Sequence, residues 1–552
     1  MTERRGSPLV AAAVVLVAVA TRLTPLYWSP YPATHDGFFY AGTVAQALSG
    51  GAIPVPITWD GIGFNALLVT AAGISGGDPL TLAQPLVALI GGLSALTGVV
   101  VVRRVGRGLG WSPAKTEWGA AAAGLALAFE GIYLRRTGVP DEEVVALLLV
   151  PLLVIAVHQT IRTRHLGWGA LAGLFVLVFP PLHSLSTIVA LLSVLALSAI
   201  DVRTLMSRWS VLVAGVLTGG FAILLVGYYW FAQATPALQL IFTDRITGAP
   251  GLFVSWLVVL VVGVVWLRTT SSGRRRGAVL VGFGAVFGLL AVNTLRPVFP
   301  GTVATDPVVL GLVGLLVVPA LLAAWGLDAT DGAIGFSAVV LALIAGPAAM
   351  VGFALTAGLT PEYFDTAVRS QSFMHAGVLL AAVLGALTLW RREGTLLTRE
   401  RAVLGVLLLA VVGTTPLAFV ELDTGVLAPT TTQSEFESAE FAATRLDANW
   451  TSEDPAIRIA EGYVDPTTDR PLANRSQRAT ATWLRGGPLP GCPVLVRDSW
   501  FTSGANLYPL GPQELDRETY DRWSGNRSIV YSATGGNPAW IVVPRGASRR
   551  DC

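Results

Sequence analysis

Long apolar runs broken by short polar turns occupy roughly the first three quarters of the chain. Charge-free stretches cover residues 182–200, 209–243, 246–267, 307–327, 332–361 and 402–420, each near the roughly 20 residues that carry a helix across a hydrocarbon core. The pattern predicts about 13 spanning helices, near 8–27, 80–102, 116–134, 142–160, 166–181, 183–200, 210–231, 250–268, 277–295, 307–326, 333–357, 373–390 and 402–420. Residues 61–76 are apolar but short, and read as an interfacial helix. From about 421 onward the apolar runs shorten and turn residues increase. Pro493-Val494-Leu495-Val496 and Ala539-Trp540-Ile541-Val542-Val543 read there as strands. The expected fold is an all-α polytopic membrane domain over 1–420 and a small extracytoplasmic α/β domain over 421–552.

Composition agrees with the pattern. The chain is 53% hydrophobic and 13% charged, against about 25% charged residues in soluble domains. A net charge of +2 implies no nucleic-acid partner. Of the 37 basic residues, Lys115 is the only lysine. Cys492 and Cys552 form no metal-binding pattern and allow one disulfide.

Arginine placement sets the expected orientation. With a cytoplasmic N-terminus, 18 basic residues fall in inner loops, among them Arg103, Arg104 and Arg274 to Arg276. The outer side holds only Arg22, Arg135, Arg136, Arg245, Arg296 and Arg369, as the positive-inside bias requires. Counting 61–76 as a span would reverse this. One inner loop, with Asp328 and Asp331, runs against the trend. The run 8–27 is read as a retained span rather than a signal peptide, because that spacing sets Asp36 at a membrane surface. The sequons at Asn449, Asn474 and Asn526 all fall in the outer C-terminal part.

Candidate chemistry gathers on the outer face. Asp36 follows the first span in Thr34-His35-Asp36-Gly37. Phe38, Ala41, Ala45 and Leu48 then recur at helical spacing, which suggests an amphipathic helix lying in the lipid interface. Asp36 can cap that helix, take a proton from an acceptor hydroxyl, or bind a metal. The second corner is Arg135-Arg136-Thr137-Gly138-Val139-Pro140-Asp141-Glu142-Glu143. Its acids suit a helix N-terminus, and its arginines suit a phosphate. His35, His183, Arg296 and Asp306 are further outer candidates, and Glu130 is an acid near the outer end of its span. The two acidic corners are expected to close over one pocket.

This layout resembles the GT-C superfamily of membrane glycosyltransferases, and within it the catalytic subunit of oligosaccharyltransferase and its archaeal relatives. The resemblance rests on Asp36 in a long first outer loop, on Trp59-Asp60-Gly61 through Gly77-Asp78-Pro79-Leu80 before a span ending in Arg103-Arg104, and on 135–145 as a second acidic motif. It covers about residues 8–200, and beyond them rests on topology. It implies that Asp36, Asp141 and Glu143 are catalytic and that Asp36, Asp141 and Asp306 hold a divalent cation, Mg or Mn; His35, Arg135, Arg136, His183 and Arg296, read from their place on the outer face, are expected to bind substrate. The implied partners are a polyprenyl-phosphate-linked sugar, a glycan or protein acceptor, and membrane lipids. The family's acceptor-reading Trp-Trp-Asp-Tyr-Gly motif is absent from 421–552. Transfer of one sugar, for example mannose, from a dolichyl-phosphate carrier therefore fits better than transfer of a whole glycan to asparagine. A transporter or flippase is the alternative from another class. No clear internal repeat supports it, and the acids gather at one face instead of the midplane.

Overall fold

The computed structural model describes residues 7–51, 60–234, 240–298, 304–329, 336–389, 396–420, 431–446, 450–465, 476–507 and 512–545. The motif residue Trp59, the inner-loop Asp331, Asn449, Asn474 and Cys552 lie outside these ranges. The first part is a bundle of helices, and among the described residues 11 helices are long and apolar enough to cross a membrane. Two more expected spans are helices of 17 residues, Pro113–Phe129 and Leu166–Leu182. At 1.5 Å per residue each is about 26 Å long, slightly short of a roughly 30 Å core. The short run 61–76 is a 14-residue helix, Ile62–Ser75.

One boundary differs usefully from the pattern. The span expected at 373–390 starts at Pro361 and runs to Thr388. Glu362, Asp365 and Arg369 interrupt the apolar run, yet they belong to the helix. Asp365 and Arg369 pair with each other and with charges on other helices, so neither needs bulk water.

From residue 431 the chain forms the helices Gln433–Arg445, Asp454–Ile459, Ser476–Leu484 and Arg517–Ser524 around a three-stranded antiparallel sheet. The strands are β1 (Val494–Arg497), β2 (Arg527–Ala533) and β3 (Ala539–Pro544), in the order β1-β3-β2. β2 was not expected from the apolar pattern, and its Ser528, Ile529 and Val530 are exposed. Cys492 is disulfide-bonded.

This C-terminal part packs on the helix Asp36–Gly50. Phe38 is buried with Ala439, Ile459 and Ala460, and its ring neighbours Phe436 and Tyr463. A Cβ on Gly42 would strike the Gly462 carbonyl. The expected interfacial helix is thus a protein-protein contact along its first turns, where a matching apolar surface competes better than lipid head groups. Only Ala45 and Leu48 of the expected apolar face remain exposed.

Candidate functional site

Three buried polar groups bring the two acidic corners together. Arg22, at the end of the first helix, donates from Nε to the Thr137 hydroxyl (3.0 Å) and from Nη1 to the Ala18 carbonyl (2.9 Å). The Gln84 amide donates to the carbonyls of Arg22 and Gly138, both at 2.8 Å, while its oxygen accepts from Ala33 N–H at 3.0 Å. Gln84 therefore staples the loop leading to Asp36 to the loop leading to Asp141. The loops touch: a Cβ built on Gly37 would lie 3.5 Å from Pro140 Cγ. Arg22 was noted in the sequence only as an outer charge, and nothing marked Gln84 in its apolar run.

Asp36 opens its helix at the first turn, but His35 occupies the cap position, so the carboxylate is not spent on capping. Its Oδ1 accepts from Arg458 Nη1 at 2.6 Å. Arg458 also holds Asp454 at 2.7 Å, and His35 Nε2 lies 3.8 Å from that same Asp454. Burial pushes the Asp36 carboxyl up, but Arg458, then His35, Arg369 and Arg136, outweigh it and hold the group below its ordinary 3.8. Asp36 is thus ionised at neutral pH.

Asp141 caps the helix Glu142–Thr163, accepting from Glu143 N–H at 3.2 Å. The cap uses Oδ1, and Oδ2 faces Arg369 at 3.9 Å. Burial and the neighbouring Glu143 push the Asp141 carboxyl above its ordinary 3.8. Two carboxyl groups with opposite shifts stand at one site, the pattern that separates acid from base roles. Glu143 is fully buried and paired with Arg369 at 2.9 Å and Arg136 at 3.8 Å. It anchors the arginines and does not line the cavity. His183 is buried behind this corner, with Nδ1 2.9 Å from the Ser186 hydroxyl. Burial disfavours its charge, but Asp60, Glu142, Glu143 and Asp141 raise its pKa above the ordinary 6.5.

A cavity of about 1050 Å³ opens at this point. Its polar end is lined by Thr34, His35, Asp36, Arg135, Arg136, Asp141, Asp365, Gln371, His375 and Asn506. Its remainder is apolar, formed by side chains such as Val259, Leu267, Val286, Leu327, Leu341 and Val378 from five membrane helices. Arg458, Arg369, Asp365 and His375 were not singled out as site residues from sequence. Their one signal was charge inside or beside helices, because the partners that tie Arg458, Arg369 and His375 to the acidic corners lie more than 200 residues away.

Two candidates fall elsewhere. Arg296 is exposed and lines a separate cavity of about 450 Å³ with Ala285, Gly288 and Val292, just past the end of the helix Ser272–Leu295. Asp306 caps the helix Pro307–Gly314, accepting from Val308 N–H at 2.7 Å. Asp36, Asp141 and Asp306 therefore do not form the expected ligand set. Among the described residues no group of three or more His, Cys, Asp or Glu side chains is placed to hold a metal ion. Asp36 and Asp141 are engaged by guanidinium groups and a backbone N–H, and Asp306 is spent on a helix cap, so the expected set of three does not fit a divalent cation.

No protein-family model matches the chain, and no curated protein does. Among solved structures it is similar to the archaeal oligosaccharyltransferase AglB from Archaeoglobus fulgidus in complex with an inhibitory peptide and a dolichol-phosphate. The TM-score is 0.48 at 12% identity, covering 83% of this chain and 63% of that one. It is likewise similar to an Archaeoglobus fulgidus oligosaccharyltransferase in complex with Zn and sulfate, with TM-score 0.48, 12% identity, and coverage of 83% and 61%. The apo form gives 0.45, 14%, 80% and 58%. The chain thus spans 58–63% of the length of these solved chains.

Proposed function

We propose that the chain is a membrane glycosyltransferase that moves one sugar, for example mannose, from a dolichyl- or polyprenyl-phosphate carrier to a glycan or protein acceptor. The observation that carries this reading is the two-part cavity. Its charged end offers one ionised carboxylate, a second carboxyl with raised pKa and two arginines, and its long apolar end suits an isoprenoid chain. In this reading Asp36 accepts the acceptor's hydroxyl proton as that oxygen attacks C1 of the sugar. The C1–O bond to the carrier breaks with inversion, and its electron pair leaves on the phosphate. Arg135 and Arg136 meet the charge that develops there, an electrostatic contribution that is usually large. No step is routed through a cation. His35 and Asp141 orient the sugar and acceptor, and Glu143 and His183 support them from behind.

The reading also sets the topology: N-terminus cytoplasmic, carboxylates and C-terminal part extracytoplasmic, with the unit boundary near residue 420. The test is Asp36→Asn in cells that depend on this chain, with glycan masses and purified-enzyme turnover measured. Loss of one sugar residue at unchanged protein level is expected, with turnover falling at least about 10²-fold, as for removal of a general base. Unchanged glycans together with unchanged turnover would sink the reading.

A further inference from the structure

Glu130 and His375 form a largely buried pair at the cavity wall. Glu130 is fully buried and ends the helix Pro113–Phe129. Its carboxylate caps the next helix, Gly131–Thr137, with Oε1 accepting from Ile132 N–H (3.1 Å) and Oε2 from Tyr133 N–H (2.8 Å). The same Oε2 lies 2.9 Å from Nδ1 of His375. Three donors converging on one carboxylate suit its ionised form. They fix the imidazole too: Nδ1 carries a proton toward Glu130, and Nε2 is the polar atom left for the cavity that His375 lines.

The position of this pair matters. The helix Gly131–Thr137 that Glu130 caps carries Arg135 and Arg136 to the same cavity. On the helix Pro361–Thr388, the cavity face runs from Asp365 through Gln371 and His375 to Val378. His375 stands six residues beyond Arg369, about 9 Å further along at 1.5 Å per residue, and past it the lining turns apolar. A sugar ring at the carboxylate level would place its phosphate about that far down. An ionisable pair at membrane depth is expensive and is a functional candidate by default.

We propose that His375, oriented by Glu130, seats the phosphate of the polyprenyl carrier as an imidazolium: with Nδ1–H held by Glu130, Nε2–H donates to a phosphate oxygen opposite Arg135. This rests on the glycosyltransferase reading and adds the group that reads the head of the donor. His375 is the contact residue, and Glu130 is a positioning residue that acts through it.

The test uses the purified full chain in lipid nanodiscs and measures binding of dolichyl monophosphate against dolichol. Inorganic phosphate and phosphatidic acid form two further arms. Wild type is expected to prefer dolichyl monophosphate over dolichol and over both other phosphates. His375→Phe, which keeps a ring in place, should lose at least tenfold of that preference while dolichol binding stays unchanged. Glu130→Gln should lose a similar amount, and combining it with His375→Phe should add nothing further, which a merely structural role would not produce. His375→Asn serves if the Phe variant does not fold. A folded His375 variant with wild-type preference overturns this inference alone. Wild type that ignores the carrier phosphate overturns both this and the reading beneath it. An equal response to phosphatidic acid overturns the carrier assignment.

Discussion

Two of the helices that wall the apolar cavity are built differently from the helices that start behind the charged rim. In Glu142–Thr163 and Ser184–Leu205, 78% of the membrane window is buried against other protein. In Pro250–Thr269 and Ser272–Leu295 the shares are 11% and 6%. Glycines tell the same story. A Cβ at Gly131 would strike the Thr414 carbonyl, and one at Gly91 the Thr137 carbonyl, whereas Gly282, Gly284 and Gly288 have nothing within 4 Å. Close packing on one side fixes the carboxylates and guanidinium groups to the short distances their chemistry needs. On the other side most of the helix surface has no protein packed against it.

The contrast can be broken most severely at Glu143. Replacing it with Ala leaves Arg136 and Arg369 facing each other in a buried corner, although Arg369 keeps Asp365. Losing one partner of a buried pair costs about 3 kcal/mol or more, so thermal unfolding in detergent should show a large drop. Val281→Ala, on the loosely packed helix and 73% exposed, should change stability by no more than about 0.5 kcal/mol.

Gln84→Leu comes next. It strands the Ala33 N–H and the Gly138 carbonyl, which costs about 1–3 kcal/mol for a buried group left unpaired. Because Gln84 staples the two acidic loops, turnover should fall about tenfold or more while carrier binding stays nearly intact. Equal losses in both would mean that the staple serves only stability. Gly131→Ala should destabilise by about 1–3 kcal/mol through overpacking, whereas Gly284→Ala should stabilise its helix by up to about 1 kcal/mol.

The smallest effect is one of pH. His183 has a folded pKa above its ordinary 6.5, so its proton is held more tightly in the folded state. Its contribution to stability is fully present below about pH 6.5 and is lost as pH rises through the higher folded value. Melting temperatures of wild type and His183→Gln should therefore converge as pH is raised above 6.5. A constant difference would show that the ring acts by packing alone.

The spans, the position of both acidic corners and two of the three strands were readable from the chain itself. Membrane crossing depends on some 20 contiguous residues, and a one-dimensional property is legible in one dimension. Partner choice was not. Asp36 finds Arg458 across 422 positions, Glu130 finds His375 across 245, and Glu143 finds Arg369 across 226. Asp306 looked like a third ligand by its place in the topology, yet its carboxylate caps a helix. Hydropathy decided which segments enter the bilayer. Only the packing of those segments, which removes charges from water and forces each to find a counter-charge, decided which carboxylate stays ionised, which is raised, and which faces the cavity.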